Sequence, residues 1–293
     1  MTLLDETETE APEIPLVEIT GPGVYDMPED QYHARPELSH SGMKLLLQPS
    51  CPYLYKWEKA HPPAPKKEFD FGKALHAIIL GSGAEIEELD FDNFLTNAAK
   101  AAKQAAYDAG KIPILKKHVA HLRAMAWQIQ HHPVAKLLFA DGKPEQSLFW
   151  NDRRTGLSLR ARLDWLPEPC DGRLVIPDLK STTAVDVASL EKAVYEFKYH
   201  SQGALYRDAA IALELGDRDT VVNLVFQMKN APYLVHVVQL MPVDLQLGAA
   251  RNREAIDTYR RCVEQDYWPG YDEVSDIQMP GWAQIREQSE FMA

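Results

Sequence analysis

The sequence predicts an α/β domain in which a central mixed β-sheet is flanked by helices, with helical additions. Three observations predict it. Leu157, Leu159, Ala161 and Leu163 alternate with Ser158, Arg160, Arg162 and Asp164, the period of a strand with one buried face. A second strand-like run from Arg173 to Lys180 follows a turn carrying Gly172, so the two halves read as a hairpin. Segments with helical periodicity and their own start and stop signals stand on both sides of this pair. At 293 residues and 45% hydrophobic content, the chain can bury a core and fold alone.

In chain order, residues 1–15 are acidic and Pro-containing and read as a disordered tail, followed by one domain over 16–285 and a closing tail over 286–293. Leu16 to Tyr25 alternates and holds a Gly-Pro-Gly turn, the pattern of a short edge strand or hairpin. Ser39 or Ser41 caps a helix running to about Leu47, and Pro52 starts another to about Ala60. A Pro-rich connection over 61–65 and then Lys66 and Lys67 lead to a helix from Asp70 to Leu80. Gly72 and His76 share a face of that helix, the small residue allowing close approach to the sheet. Residues from about 90 to 140 read as an accessory helical layer, broken at Pro133. Its His118, His121, His131 and His132 have no carboxylate or cysteine at ligand spacing and read as surface residues.

Glu145 to Trp150 begins the sheet and Thr155-Gly156 turns into the central pair. Pro177 lacks a ladder donor, which predicts an edge, bulge or bend just before Asp178. Helices follow over Val187–Tyr195 and Tyr199–Leu215, with Gln202 and Tyr206 on one side of the second. Two strands, Thr220–Gln227 and Tyr233–Leu240, precede a long helix over Asp244–Asp266. Arg251, Arg253, Arg260 and Arg261 on it are candidates for a strip facing DNA or a subunit, with a solvated face as the default. The remainder, with Trp268, Trp282 and two Pro-Gly pairs, reads as a tail.

Bulk properties exclude several classes. The N-terminus lacks the basic-then-apolar pattern of a signal peptide, and apolar runs such as Ala77 to Leu80 are too short to span a bilayer, so no membrane role and a cytoplasmic location are expected. Cys51, Cys170 and Cys262 form no CxxC pair, which argues for ordinary packing and against a zinc site or disulfide framework. The formal charge of −12 has the wrong sign for a nonspecific DNA binder. Nine acidic residues and no Lys or Arg within residues 1–30 account for most of it, and DNA contact would need basic side chains gathered on one surface.

The chemistry-bearing residues lie in the central pair. A period of two puts Asp178 and Lys180 on one face near a strand end, and Asp164 can reach the same place from the neighbouring strand. Two carboxylates beside a lysine are what metal-assisted attack of water on a phosphodiester requires.

Pro177-Asp178-Leu179-Lys180 resembles the signature of the PD-(D/E)xK nuclease superfamily, with Asp164 as the preceding acidic residue. Gly72-Lys73-Ala74-Leu75-His76 is similar to the GxxxH element of its RecB-like branch, and Gln202-Gly203-Ala204-Leu205-Tyr206 to its QxxxY element, in the same order. Tyr32-His33 followed by Leu38 to Leu46 looks most like the RecE-type (exonuclease VIII) nuclease domain of phages and prophages, and the resemblance covers roughly residues 20–285. The cysteine set of the iron–sulfur Cas4-like and AddB-like branches is missing.

This resemblance implies a restriction-endonuclease-like core and a Mg²⁺- (or Mn²⁺-) dependent exonuclease acting on double-stranded DNA ends. It would degrade the strand from its 5′ end and leave 3′ single-stranded tails for recombination. It also implies a ring-shaped homo-oligomer with a single-strand annealing protein as partner. Asp164 and Asp178 would be the main metal ligands, joined by His76 and the Leu179 backbone carbonyl. Lys180 would position or activate the water, Gln202 and Tyr206 would hold the substrate or the lysine, and Glu145 would be a further acidic member. Ser39, Ser41, Arg160 and Arg162 are candidate DNA contacts. The alternatives are an endonuclease or repair nuclease of the same superfamily, a binding module that keeps the fold without the chemistry, and an acidic adaptor that mimics DNA.

Overall fold

The computed structural model of the chain describes residues 17–61, 70–168 and 172–292. The expected acidic tail, the Pro-rich connection with Lys66 and Lys67, and Cys170 lie outside them. The first half runs β1 (Gly23–Asp26), α1 (Glu29–Ala34), α2 (His40–Leu46), α3 (Pro52–Ala60), α4 (Asp70–Leu80), β2 (Ile86–Leu89), α5 (Asn97–Asp108), β3 (Ile112–Leu115), α6 (Lys116–His131) and α7 (Ala135–Leu138). The second runs β4 (Gly142–Asn151), β5 (Ser158–Pro167), β6 (Val175–Thr182), α8 (Val187–Phe197), α9 (Tyr199–Ala212), β7 (Val221–Met228), β8 (Val235–Gln239), α10 (Pro242–Gln265) and α11 (Gly281–Phe291).

Helix starts follow their caps. Side-chain oxygens of Ser39, Thr96 and Asp186 accept amides of Gly42, Ala99 and Ser189 at the heads of α2, α5 and α8. Lys198, at φ 62°, takes the left-handed conformation between α8 and α9 and re-aims the chain. Gly248 lets α10 cross α9, since a Cβ there would lie 2.3 Å from the His200 carbonyl oxygen.

Among the described residues three sheets carry the helices. β1, β4 and β5 form an antiparallel sheet, β6 runs parallel to β7 with β8 antiparallel beside it, and β2 pairs with β3 in parallel. The main core lies where the first two sheets meet α2, α9 and α10, around Leu148, Leu163, Ile176, Leu205, Leu224 and Phe226. Each such side chain contributes about 1.5–3 kcal/mol by leaving water. A second core joins α4, α6 and β3 through Leu75, Ile114, Leu122 and Met125. Among the described residues no helix is long and apolar enough to cross a membrane.

The expected hairpin of β5 and β6 is corrected. The strands are neighbours but belong to different sheets. Part of the free edge of β5 is taken by Leu38, which exchanges backbone bonds with Ser158 and Arg160 at 3.1 Å. Pro177 offers no amide, and the Leu179 N–H goes to the Asp164 Oδ2 at 2.7 Å. Proline's implication holds, because β6 is an edge strand of its sheet.

Three further readings change. The layer near residues 90–140 contains β3 as well as helices, and residues expected as a closing tail belong largely to α11. The arginines of α10 serve the chain itself: Arg253 binds Asp152, Arg251 the Gln48 carbonyl, Arg260 Glu264 and Arg261 Glu254.

Candidate active site

The site forms at the seam between the β5 edge and β6, with α4 beside it. Glu145 and Asp164 stand at facing positions of the β4–β5 register, but the ladder skips them. Glu145 takes a positive φ of 54° there, an uncommon conformation for a side-chain-bearing residue. Like charges placed opposite each other in a ladder repel. Here His76, projecting from α4, separates them: its Nδ1 lies 3.6 Å from Glu145 Oε1 and 4.0 Å from Asp164 Oδ1. Burial alone would keep the imidazole neutral, but Asp164 and Glu145 outweigh it and hold its pKa up to about 9. One ligand atom each from His76, Glu145 and Asp164 lies within 4.8 Å of the others.

Asp178 and Lys180 continue the site along β6. Asp178 is 1% exposed, and its Oδ2 lies 2.5 Å from Lys180 Nζ in an ion pair, with no aligned hydrogen-bond donor. Burial pushes its carboxyl above the usual range even against the ammonium, whereas Asp178 and Asp164 hold Lys180 above its ordinary value against the effect of burial. The other Asp178 oxygen accepts from the Tyr206 hydroxyl at 3.2 Å, which in turn accepts from Gln202 Nε2 at 2.7 Å, one turn back on α9. The Leu179 side chain is in the core while its amide binds Asp164.

Several expected roles are corrected by these contacts. Tyr206, expected to hold the substrate or the lysine, is buried and donates its hydroxyl to the Asp178 carboxylate, the partner of Lys180. Arg160 is 3% exposed: its guanidinium binds the Glu37 and His33 carbonyls and lies 4.5 Å over the Tyr32 ring, so no DNA reaches it. Arg162 is also turned inward, its Nε on Glu145 Oε2 at 2.8 Å and its Nη1 on the Met27 carbonyl and Ser147. It fixes Glu145 instead of meeting DNA. Ser39 is a buried cap whose hydroxyl is 3.0 Å from that of exposed Ser41. The expected ligand role of Asp178 is not among these corrections: the close group of ligand atoms is His76, Glu145 and Asp164, and Asp178 lies beside it on β6, tied to Lys180.

Tyr199 escaped the sequence reading. Lys180 Nζ lies 5.2 Å from its ring centre. The available signal was its position three residues before Gln202, on the same face of α9.

A model of the PDDEXK-like domain of unknown function (DUF3799) matches residues 39–278. The chain belongs to this family. That places it in the PD-(D/E)xK nuclease superfamily, with a restriction-endonuclease-like fold. A solved structure from Eubacterium rectale described as a "Putative exonuclease" is 11% identical, with a TM-score of 0.58 over 89% of this chain and 98% of that one, a likeness of fold. Another, of SSO0001, is 14% identical over 65% of this chain and 84% of that one, at a TM-score of 0.30. No curated protein matches.

PD-(D/E)xK nucleases generally use divalent metals, and the residues present fit one. The donor set is oxygen-rich with one imidazole, as Mg²⁺ or Mn²⁺ accepts.

Proposed function

We propose that the chain is a metal-dependent DNA exonuclease of the cytoplasm that acts at duplex ends, degrades the strand from its 5′ end and leaves 3′ tails for recombination. The observation that carries hydrolysis is the meeting of His76, Glu145 and Asp164 with the Asp178–Lys180 pair at one seam. The RecE-type resemblance and the fold likeness to a protein described as an exonuclease support action at ends.

His76, Glu145, Asp164 and Asp178, with the Leu179 carbonyl, would hold Mg²⁺ or Mn²⁺. The cation would supply Lewis-acid stabilisation of charge building on the phosphoryl oxygens. Lys180 positions the attacking water and donates to that charge, because an ammonium has three donors and no acceptor. Arg162 keeps Glu145 turned into the site, and Gln202 and Tyr206 orient Asp178. The resemblance further supports a ring-shaped homo-oligomer and a single-strand annealing protein as partner.

The test is digestion of linear duplex DNA labelled at either the 5′ or the 3′ end, with Mg²⁺ or EDTA, beside a covalently closed circle. Metal-dependent loss of the 5′ label with the circle intact is expected. Cutting of the circle would make it an endonuclease, and no cleavage with any divalent metal would leave a binding module.

A further inference from the structure

We propose that a cavity next to the candidate active site is a subsite for an unstacked nucleotide of single-stranded DNA. The proposal rests on the nuclease reading and extends it to how the strand is held. The cavity, about 420 Å³, lies between α4, α6, the end of β6 and the β7–β8 turn. It abuts the catalytic group along the chain: Ser181 follows Lys180, and Gly72 is one helical turn before His76.

Its chemistry differs from that of the molecule as a whole. The chain has 43 acidic residues against 31 basic, yet among the described residues no carboxylate lines this cavity. Lys229 does line it, and among the described residues its ammonium has no ion-pair or hydrogen-bond partner. An unpaired cation in an acidic protein is a place for a phosphate. Flat faces stand beside it. The rings of His118 and His121 stack with centroids 6.1 Å apart and 23° between planes, and Phe71 lines the same space. Rings next to a cation suit a base and its phosphate without selecting a sequence. The volume is that of a small-molecule pocket and suits a nucleotide, not a duplex.

Gly72 points the same way. The expectation that it brings the helix against the sheet fails, because a Cβ there would meet nothing within 4 Å among the described residues. Packing does not require glycine at this position. A glycine leaves the cavity open, and a large side chain would fill it.

The test is fluorescence anisotropy of a fluorescein-labelled ten-nucleotide single strand with the full chain in Ca²⁺, for the wild type, Gly72→Leu, Lys229→Ala and His121→Ala. Calorimetric Mn²⁺ binding and thermal melting run in parallel. His121 is exposed, so its variant keeps a reading free of folding effects. Each variant is expected to bind the strand about tenfold more weakly, with Mn²⁺ affinity retained. Wild-type affinity in Gly72→Leu and Lys229→Ala would overturn the subsite, as would a wild type that does not bind the strand. If the variants lose the strand but the wild type cleaves no DNA with Mg²⁺ or Mn²⁺, the subsite stands and the nuclease reading falls. If the wild type cleaves ends and the variants bind normally, the reverse holds.

Discussion

Asp164, Asp178, Lys180 and His76 could be picked from the sequence because each sits in a short motif at fixed spacing, and the structure brings them to one seam. What Arg160 and Arg162 do could not be picked. Alternation marks them as the polar face of a strand, but it cannot say whether that face meets water or, as here, Tyr32 and the Met27 carbonyl. Two predictions belong at this scale. Lys180→Ala should lower cleavage by about 10²–10³-fold while circular dichroism stays native, since it removes a charge-stabilising donor. Retained cleavage in a clean preparation would sink its role. Arg162→Ala should weaken Mn²⁺ binding in calorimetry by about 10–100-fold by freeing Glu145, whereas Arg160→Ala should cost about 2–4 kcal/mol in denaturant unfolding and leave Mn²⁺ affinity alone.

At the scale of elements, helices with a cap or an N-terminal proline were legible close to their true bounds, α2 and α3 among them. β2 and β3 were not, because four residues give too little periodicity and Pro113 argues against a strand. Nor was the split between β5 and β6, which depends on Leu38, far away in sequence, occupying an edge. Another long-range tie joins the β4–β5 turn to α10. Asp152, buried, takes Arg253 through both oxygens and the Thr155 amide and hydroxyl through one. Arg253 and Thr155 hold its carboxyl well below the usual range. A depressed folded-state pKa gives stability that is complete above the unfolded value near 4 and is lost as pH falls below it. Denaturant unfolding between pH 7 and pH 3 should therefore show a steeper loss for the wild type than for Arg253→Met. Parallel curves would remove Asp152 from the acid response.

For the whole molecule, the charge of −12 looked contrary to DNA binding, and composition could not show where positive charge stays unpaired. The arginines of α10 are mostly spent on neighbouring carboxylates. Association with DNA should accordingly depend on divalent metal and on few phosphate contacts, giving a shallow dependence of log affinity on log salt, with a slope near that of two or three phosphates. A slope of six or more in a filter-binding titration would point to a wide basic face instead. At the chain's end, α11 buries none of its side chains and leaves Trp282, Ile285 and Phe291 in solvent. Light scattering tests the proposed ring, for which a monomer at micromolar concentration would be the contrary result.

The carboxylate of Asp164 both faces His76 and replaces a missing rung between two sheets. A lineage that gives up cleavage therefore has unequal routes open to it. On the proposed roles, losing Lys180 would disarm the site and leave the seam closed, while losing Asp164 would disarm it and also strand the Leu179 amide. Descendants that keep this fold for another purpose should discard the lysine first and retain the aspartate longest.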